Sequence, residues 1–468
     1  MAILRCLAVD LGADSGRVIL GVGEGDRIRQ EVLHRFPNKP KRSLAGHLNW
    51  DLESLWDGIR EGLRLGAARG SIASIAVDTW GVDYGLVNAQ GQLLVEPFHY
   101  RDARTEGIAA EIEDRFGKAA LFARTGTRSL PFNTIFQLVA HQRAAPDLLA
   151  QAHRLLTIPD LLAFRLSGIM ANEWTNAGTT GLTRAGLMAW DHDLIRELGL
   201  PAHLFGDIVR PGSILGPMLP DLAQTLGFTG PAPRIIAPGA HDTASAIAAM
   251  PVADPGMAYI SCGTWSLMGV LRDKPLTTPA ALAADLSNEV SVDGRVRLLR
   301  NIMGLWVWQE CRRDRLVEGL DADHGVLAAL ASAAAPGPVT LAQGAIDLDH
   351  PDFLGPSTPG NRMLDRLRRH AAAKGLTVTD DGAVFRRITE ALAAAYAACR
   401  TGLEAATGTP ITGICLLGGG VRNRLLCDLT GQACALPVLI GDEEATALGN
   451  LLVQVRALHA LEISAVHG

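Results

Sequence analysis

The chain has 468 residues, 48% of them apolar and 20% charged, with a formal net charge of −6. That mixture excludes a disordered chain, and mild acidity without a basic block argues against nucleic acid as the main partner. The length exceeds one simple core and predicts two or three domains.

Residues 3–9 read as a buried strand, 10–17 as a glycine-containing turn and 18–22 as a returning strand. A hairpin of this kind differs from the dinucleotide fingerprint and the P-loop, each of which leads into a helix. A helix is expected over 51–68, with a cap offered by Trp50-Asp51-Leu-Glu-Ser54 and with Leu52, Leu55, Trp56, Ile59, Leu63 and Leu65 near helical spacing. Strand 72–77 runs into Asp78-Thr-Trp-Gly-Val-Asp83, and a short strand follows at 85–87. Residues 105–230 read as mostly helical, and strand 233–237 enters Gly239-Ala-His241-Asp242-Thr243-Ala. Pro251 to Gly256 reads as a linker before a second hairpin, 257–260 and 265–270 around the turn 261–264. Helices are expected near 304–317, 325–334 and 384–406, then a strand at 413–417, the triplet Gly418-Gly-Gly420 and a helix from Asn423. Both halves, 1–245 and 255–455, open with strand, glycine turn and strand, which predicts two related α/β halves facing a cleft.

The seven cysteines (Cys6, Cys262, Cys311, Cys399, Cys415, Cys427, Cys434) form no Cys-x-x-Cys pair, so free thiols, no zinc site and a cytoplasmic protein are expected. No leader pattern and no bilayer-spanning apolar run is visible, so no membrane partner is expected.

The chemistry concentrates in the turns. Glycines let backbone N–H groups approach an anion closely, and Ser15, Arg17 and Thr264 add donors suited to phosphate oxygens. Asp10, at the mouth of the first turn, is either a turn cap or a carboxylate for hydrated Mg²⁺. Trp80-Gly81-Val82-Asp83 is either a strand-end turn with a core Trp or a sugar site, where the Trp face packs on C–H groups while Gly81 and Asp83 bind hydroxyls. Asn301 and Gln309, eight apart on an expected loop and helix, are either part of a surface helix face or a pair of which one reaches substrate and the other nucleotide. Asp242 beside His241 at a strand-to-helix turn is either a general base or an ordinary helix N-cap.

Several strings occur in a telling order: Asp10-Leu-Gly-Ala-x-Ser-Gly-Arg17, Asp78-Thr-Trp-Gly-Val-Asp83, Tyr100-Arg-Asp-x-Arg-Thr105, His241-Asp-Thr-Ala-Ser245, Ser261-x-Gly-Thr-Trp-Ser-Leu-Met268, Asn301-Ile-Met-Gly-Leu-Trp306 and Gly418-Gly-Gly420. Over residues 3–455 the chain resembles the FGGY-type carbohydrate kinases and, within them, is most similar to the L-rhamnulose kinase branch. Asp349 to Pro356 also resembles a segment of that branch. The resemblance implies an α/β protein of two ribonuclease-H-like (actin/hexokinase-like ATPase) domains around a deep catalytic cleft. The sugar domain would span 1–245 and the ATP domain 255–455. It implies ATP and Mg²⁺, and Asp242 as base for the sugar hydroxyl. It sets the sugar near Gly81, His241, Asp242, Thr243 and Asn301, and ATP along Ala13, Asp14, Ser15, Gly16 and Arg17 with Thr264, Gln309 and Gly419. Position 14 departs from the pattern. Its carboxylate stands where that branch often has a small hydroxyl residue, and it would repel phosphates unless Mg²⁺, Arg17 or solvent intervenes. The rival readings are a kinase of L-fuculose or a pentulose, a sugar sensor that has lost catalysis, and a chaperone-type ATPase, for which no peptide-binding extension is present. The sequence leaves the oligomeric state open.

Overall fold

Strand β1 (Leu4–Leu11) is buried on both faces from Cys6 onward, the pattern of a central strand. The computed structural model describes residues 3–24, 27–251, 254 and 256–467, without the side chains of residues 24 and 464–467. β1 turns at 12–14 and returns antiparallel as β2 (Ser15–Glu24), which sets Asp10 opposite Arg17. β3 (Arg27–Pro37) continues the meander. On the other side of β1 lie β4 (Ser74–Thr79), parallel to it, and then β6 (Arg234–Ile236), with β5 (Ile214–Pro217) antiparallel at the edge. The order is β5-β6-β4-β1-β2-β3. Helix α1 (Leu52–Ala67) is capped by Asp51, which accepts the Ser54 N–H at 3.2 Å, and buries Leu52, Leu55, Ile59 and Leu63 in the same core as this sheet.

The chain leaves the first sheet through α2 (Asp242–Ala248). The second sheet repeats the plan. β7 (Met257–Cys262) and β8 (Trp265–Arg272) form the expected hairpin, and β10 (Val296–Met303) and β9 (Ser287–Val290) extend it antiparallel. β11 (Gly413–Leu417) and β12 (Val438–Ile440) run parallel on the other side of β7. Helices α3 (Trp306–Val317) and α4 (Asp381–Thr407) bury Val307, Cys311, Phe385, Ile388 and Leu392 in its core. In each sheet a hairpin is extended by antiparallel strands beyond its second strand and by parallel strands beside its first, so the internal symmetry expected of the two halves is present.

The two cores exchange helices. Ala246 and Ile247 of α2 pack on Tyr259, Leu267, Leu299 and Leu417 of the second sheet. The last helix, α5 (Ala445–His467), crosses back and packs Ala447, Leu451 and Val455 on Cys6, Ala8, Ile19 and Ile236 of the first. Polar bonds fix the return: Gln454 donates to Leu7 O at 3.1 Å and accepts from Ser74 Oγ at 2.7 Å. α2 and α5 meet at Gly449, where any Cβ would come 1.7 Å from Ser245 O. Each half therefore holds a helix that belongs by sequence to the other. Of the expected linker, residues 252, 253 and 255 lie outside the described residues.

The stretch 105–230 is less uniformly helical than expected. It holds helices such as 134–144 and 158–167, but Arg154–Thr157 is a strand paired with Tyr84–Val87. A four-residue apolar run carries no period long enough to separate strand from helix. All seven cysteines are buried free thiols. Among the described residues no helix is long and apolar enough to cross a membrane.

Candidate active site

A cleft of about 770 Å³ lies between the two sheets, lined by both halves and by the start of α2. Asp10, Ala13, Asp14, Ser15, Arg17 and Gly81 face it from the first half, and Thr264, Asn301, Gln309 and Gly419 from the second. His241, Asp242 and Thr243 lie between them. Two expected residues, Gly16 and Asp83, do not line it.

Asp242 is the first residue of α2, and His241 is the N-cap, so the capping alternative for Asp242 is corrected. The Asp242 carboxylate turns back on its neighbour: Oδ1 accepts the Thr243 N–H at 2.6 Å and the Thr243 hydroxyl at 3.2 Å. The turn itself is clamped from a segment that the sequence did not flag. Glu173 accepts the Ala240 N–H at 3.0 Å, Thr175 Oγ1 accepts the His241 N–H at 3.1 Å, and Ala240 O accepts the Thr79 N–H at 2.9 Å. Burial pushes the Glu173 carboxyl up to about 7 despite the hydrogen bonds it accepts.

Three carboxyls lie close together here, Asp10 and Asp242 lining the cleft and Asp78 fully buried. Burial raises Asp242 above the usual range and Asp10 adds to the rise, with His241 and the Thr243 amide offsetting part of it. Asp10 is also raised by burial, although Arg17 donates to its Oδ2 from Nε at 2.9 Å and Nη2 at 2.6 Å. Arg17 is shared, because its Nε also lies 2.9 Å from Glu444 Oε2. Asp78, opposite Asp10 in the sheet, is held well above the normal range by burial and then by Asp10. Asn450 donates to its Oδ2 at 2.6 Å, while its Oδ1 is buried without a partner.

The turn after β4 carries strain. Val82 has φ 68°, a left-handed conformation that a β-branched residue rarely adopts. Thr179 Oγ1 accepts its N–H at 3.0 Å and Thr134 donates to its carbonyl at 2.6 Å. A Cβ at Gly81 would meet that same Thr179 Oγ1 at 2.9 Å, so only glycine lets the chain pass. Asp83, expected to bind sugar hydroxyls, instead points into the core. Its oxygens accept from Trp50 Nε1 at 2.6 Å, Trp80 Nε1 at 3.0 Å, Gln137 Nε2 at 2.8 Å and the Tyr100 N–H at 3.2 Å. These donors come from four separate segments, so Asp83 holds the wall that carries Trp80 and Gly81. Gly16 likewise serves packing: a Cβ there would come 2.5 Å from the Phe36 ring.

Asp14 lines the cleft, but its charge is matched across it. Arg313 of α3 donates to Oδ1 at 2.5 Å, and Thr264 Oγ1 lies 3.4 Å from Oδ2. The departure at position 14 is thus half of a bridge between the two halves, with a partner 299 positions away. A second bridge is Arg101, whose Nη1 donates to Leu354 O at 2.7 Å and whose guanidinium lies 4.1 Å from the centre of the Trp306 ring. Asn301 is on β10 rather than in a loop, and Gln309 is on α3 with its Oε1 buried and unpartnered. At 418–420 the chain passes so close to the second hairpin turn that a Cβ at Gly420 would come 2.3 Å from Cys262 Sγ, whereas Gly419 has open space around it.

Two sheets of matching plan with exchanged helices, and a cleft lined by glycine turns and carboxyls, describe a two-domain phosphotransferase, and the comparisons agree. The chain belongs to the FGGY family of carbohydrate kinases: the N-terminal domain of that family matches residues 5–249 and the C-terminal domain residues 258–458. It is a sugar kinase, with ATP as the phosphoryl donor. Among curated proteins it is 38% identical over 465 residues to a rhamnulokinase of Klebsiella pneumoniae, covering 98% of this chain and 91% of the relative. A rhamnulokinase of Bacteroides thetaiotaomicron is 37% identical over 449 residues, covering 96% and 89%. Among solved structures, a ligand-bound xylulose kinase from Lactobacillus acidophilus aligns with a TM-score of 0.75 at 17% identity, covering 97% and 90%. Plasmodium falciparum glycerol kinase with ADP aligns at 0.74 and 14% identity, covering 98% and 90%; both likenesses concern the fold.

Proposed function

We propose that this enzyme transfers the γ-phosphoryl group of ATP to the C1 hydroxyl of a 6-deoxy-ketose, L-rhamnulose, with Asp242 as general base. One observation carries the reading. At the cleft floor, Asp242 Oδ1 is tied to Thr243, while Oδ2 takes no hydrogen bond from the described residues. A carboxylate with one oxygen fixed and the other open to the cleft suits removal of a proton from a hydroxyl, and the raised pKa strengthens it as a base. The choice of sugar rests on the rhamnulokinases that match nearly the whole chain at 35–38% identity.

In this reading the sugar lies against Gly81, His241, Thr243 and Asn301. The phosphates lie along Ala13, Ser15 and Arg17 of the first hairpin turn and Thr264 of the second. Gln309 and Gly419 border the nucleotide, with the bare space at Gly419 admitting a flat group. The residues also fit Mg²⁺. The donors are hard carboxylate oxygens, and Asp10, Asp78 and Asp242 repel one another beside an Arg17 already shared with Glu444. Asp10 would hold the ion, which when bound neutralises charge on the phosphates. Catalysis then comes mainly from positioning and electrostatics, and the bridges Asp14–Arg313 and Arg101–Leu354 tie the walls of the cleft to each other.

A coupled ADP-release assay over a panel of ketoses tests this. L-rhamnulose is expected to give the highest kcat/KM, ahead of L-fuculose and the pentuloses. A preference for a pentulose would overturn the sugar assignment.

A further inference from the structure

The mechanism above leaves a buried charge array behind the base unused. Arg297 of β10 is fully buried, and it lies directly across the ladder from Glu289 of β9, with Nη2 3.0 Å from Glu289 Oε2. Its Nε donates to Val290 O at 3.1 Å. The same Nη2 reaches the imidazole of His241, 3.2 Å from Nδ1. On the far side of that ring, Nε2 lies 3.4 Å from Asp242 Oδ1. A line of contact therefore runs from the second sheet through one histidine to the carboxylate at the cleft floor.

The chemistry of the groups orders this line. A guanidinium only donates, so a ring nitrogen that bonds it must be an acceptor. With Nδ1 accepting from Arg297, the neutral ring carries its proton on Nε2, the nitrogen 3.4 Å from Asp242 Oδ1. The other tautomer sets N–H against N–H at Arg297 and lone pair against lone pair at Asp242. Glu289 Oε2, 3.2 Å from Nδ1, is the one acceptor among the described residues that the other tautomer could serve. Its part is to balance the buried guanidinium.

We infer that Arg297 is a positioning residue that sets the tautomer of His241, so that the Nε2–H group anchors Oδ1 of Asp242 and leaves Oδ2 for the substrate hydroxyl. Glu289 is the counter-ion that makes this possible. The inference rests on the reading of Asp242 as the base, and nothing in the sequence pointed to either residue.

The test combines spectroscopy and kinetics on the full-length enzyme. In protein labelled with ¹⁵N-histidine, the His241 signals, identified by their loss in His241→Gln, are expected to show the proton on Nε2. The double variant Arg297→Met/Glu289→Leu removes both charges together and avoids a stranded ion. It should show a mixture of tautomers and a kcat lower by about ten- to a hundredfold, as for a misaligned reacting group, with both KM values within about threefold of wild type. Arg297→Lys keeps a charged donor and should retain more turnover than the double variant. A proton on Nδ1 in the wild type would overturn the inference, and this measurement and the lysine variant stand even if the double variant fails to fold. An unchanged kcat in the folded double variant would also overturn it, provided Asp242→Asn has lost turnover. If Asp242→Asn keeps turnover, the assignment of the base is what fails.

Discussion

Replacing Asp242 by asparagine is expected to lower kcat by roughly two to four decades, about 3–5 kcal/mol of transition-state stabilisation. Asparagine keeps the shape and can still accept the Thr243 N–H through its amide oxygen, so α2 and the cleft should form as before. What disappears is the acceptor for the sugar's proton. KM for sugar and for ATP should change little, because the lost interaction acts on the proton in flight. The pH profile carries the same signature. A base must be ionised, and burial raises Asp242, so wild-type kcat should fall as pH drops through a limb displaced upward from an ordinary aspartate. That limb should be missing from the residual activity of the variant. Steady-state kinetics across pH checks both points, and turnover near wild type in Asp242→Asn would sink the assignment.

Asp83→Ala is expected to cause the largest loss of stability among the residues discussed. The substitution strands the indole N–H groups of Trp50 and Trp80, one N–H of Gln137 and the Tyr100 N–H in the core. At about 1–3 kcal/mol for each stranded group the total is roughly 4–12 kcal/mol, comparable with the whole stability of many domains. Asp83→Asn should lose less, since one oxygen can still serve the two indoles. Burial holds the Asp83 carboxyl up at about 6 in spite of its donors. A folded-state value above the unfolded one means that the protein takes up a proton on folding between roughly pH 4 and 6. The stabilisation from this group is therefore full below that window and is lost as pH rises through it. Urea unfolding of wild type and the Asn variant across that window should converge toward high pH. If Asp83 bound the sugar instead, Asp83→Ala would raise KM and leave the unfolding midpoint in place.

Asp83 also shows where the sequence stops being legible. Its spacing to Gly81 fits a sugar turn as well as a core anchor, and the deciding donors, Trp50 and Gln137, lie 33 and 54 positions away. The hairpins were readable because strand, turn and strand are local: Asp10 and Arg17 sit close in sequence and pair in register. Helix α1 was readable for the same reason, from its cap and its apolar period. Asp14 was visible as an anomaly but not as a bridge, since Arg313 belongs to the other half. Glu289 and Arg297 look like ordinary alternating polar residues of two strands until the ladder sets them opposite each other beneath His241. The crossing of α2 and α5 at Gly449 has no local signal, because a glycine in a helix is explained only by what passes 1.7 Å from its absent Cβ.

The most direct measurement is the product itself. Wild-type enzyme with MgATP and ¹³C1-labelled L-rhamnulose should yield one equivalent of ADP per sugar, with the ³¹P signal of the product coupled to C1. ADP released without a phosphorylated sugar, or phosphate attached elsewhere on the chain, would contradict the account.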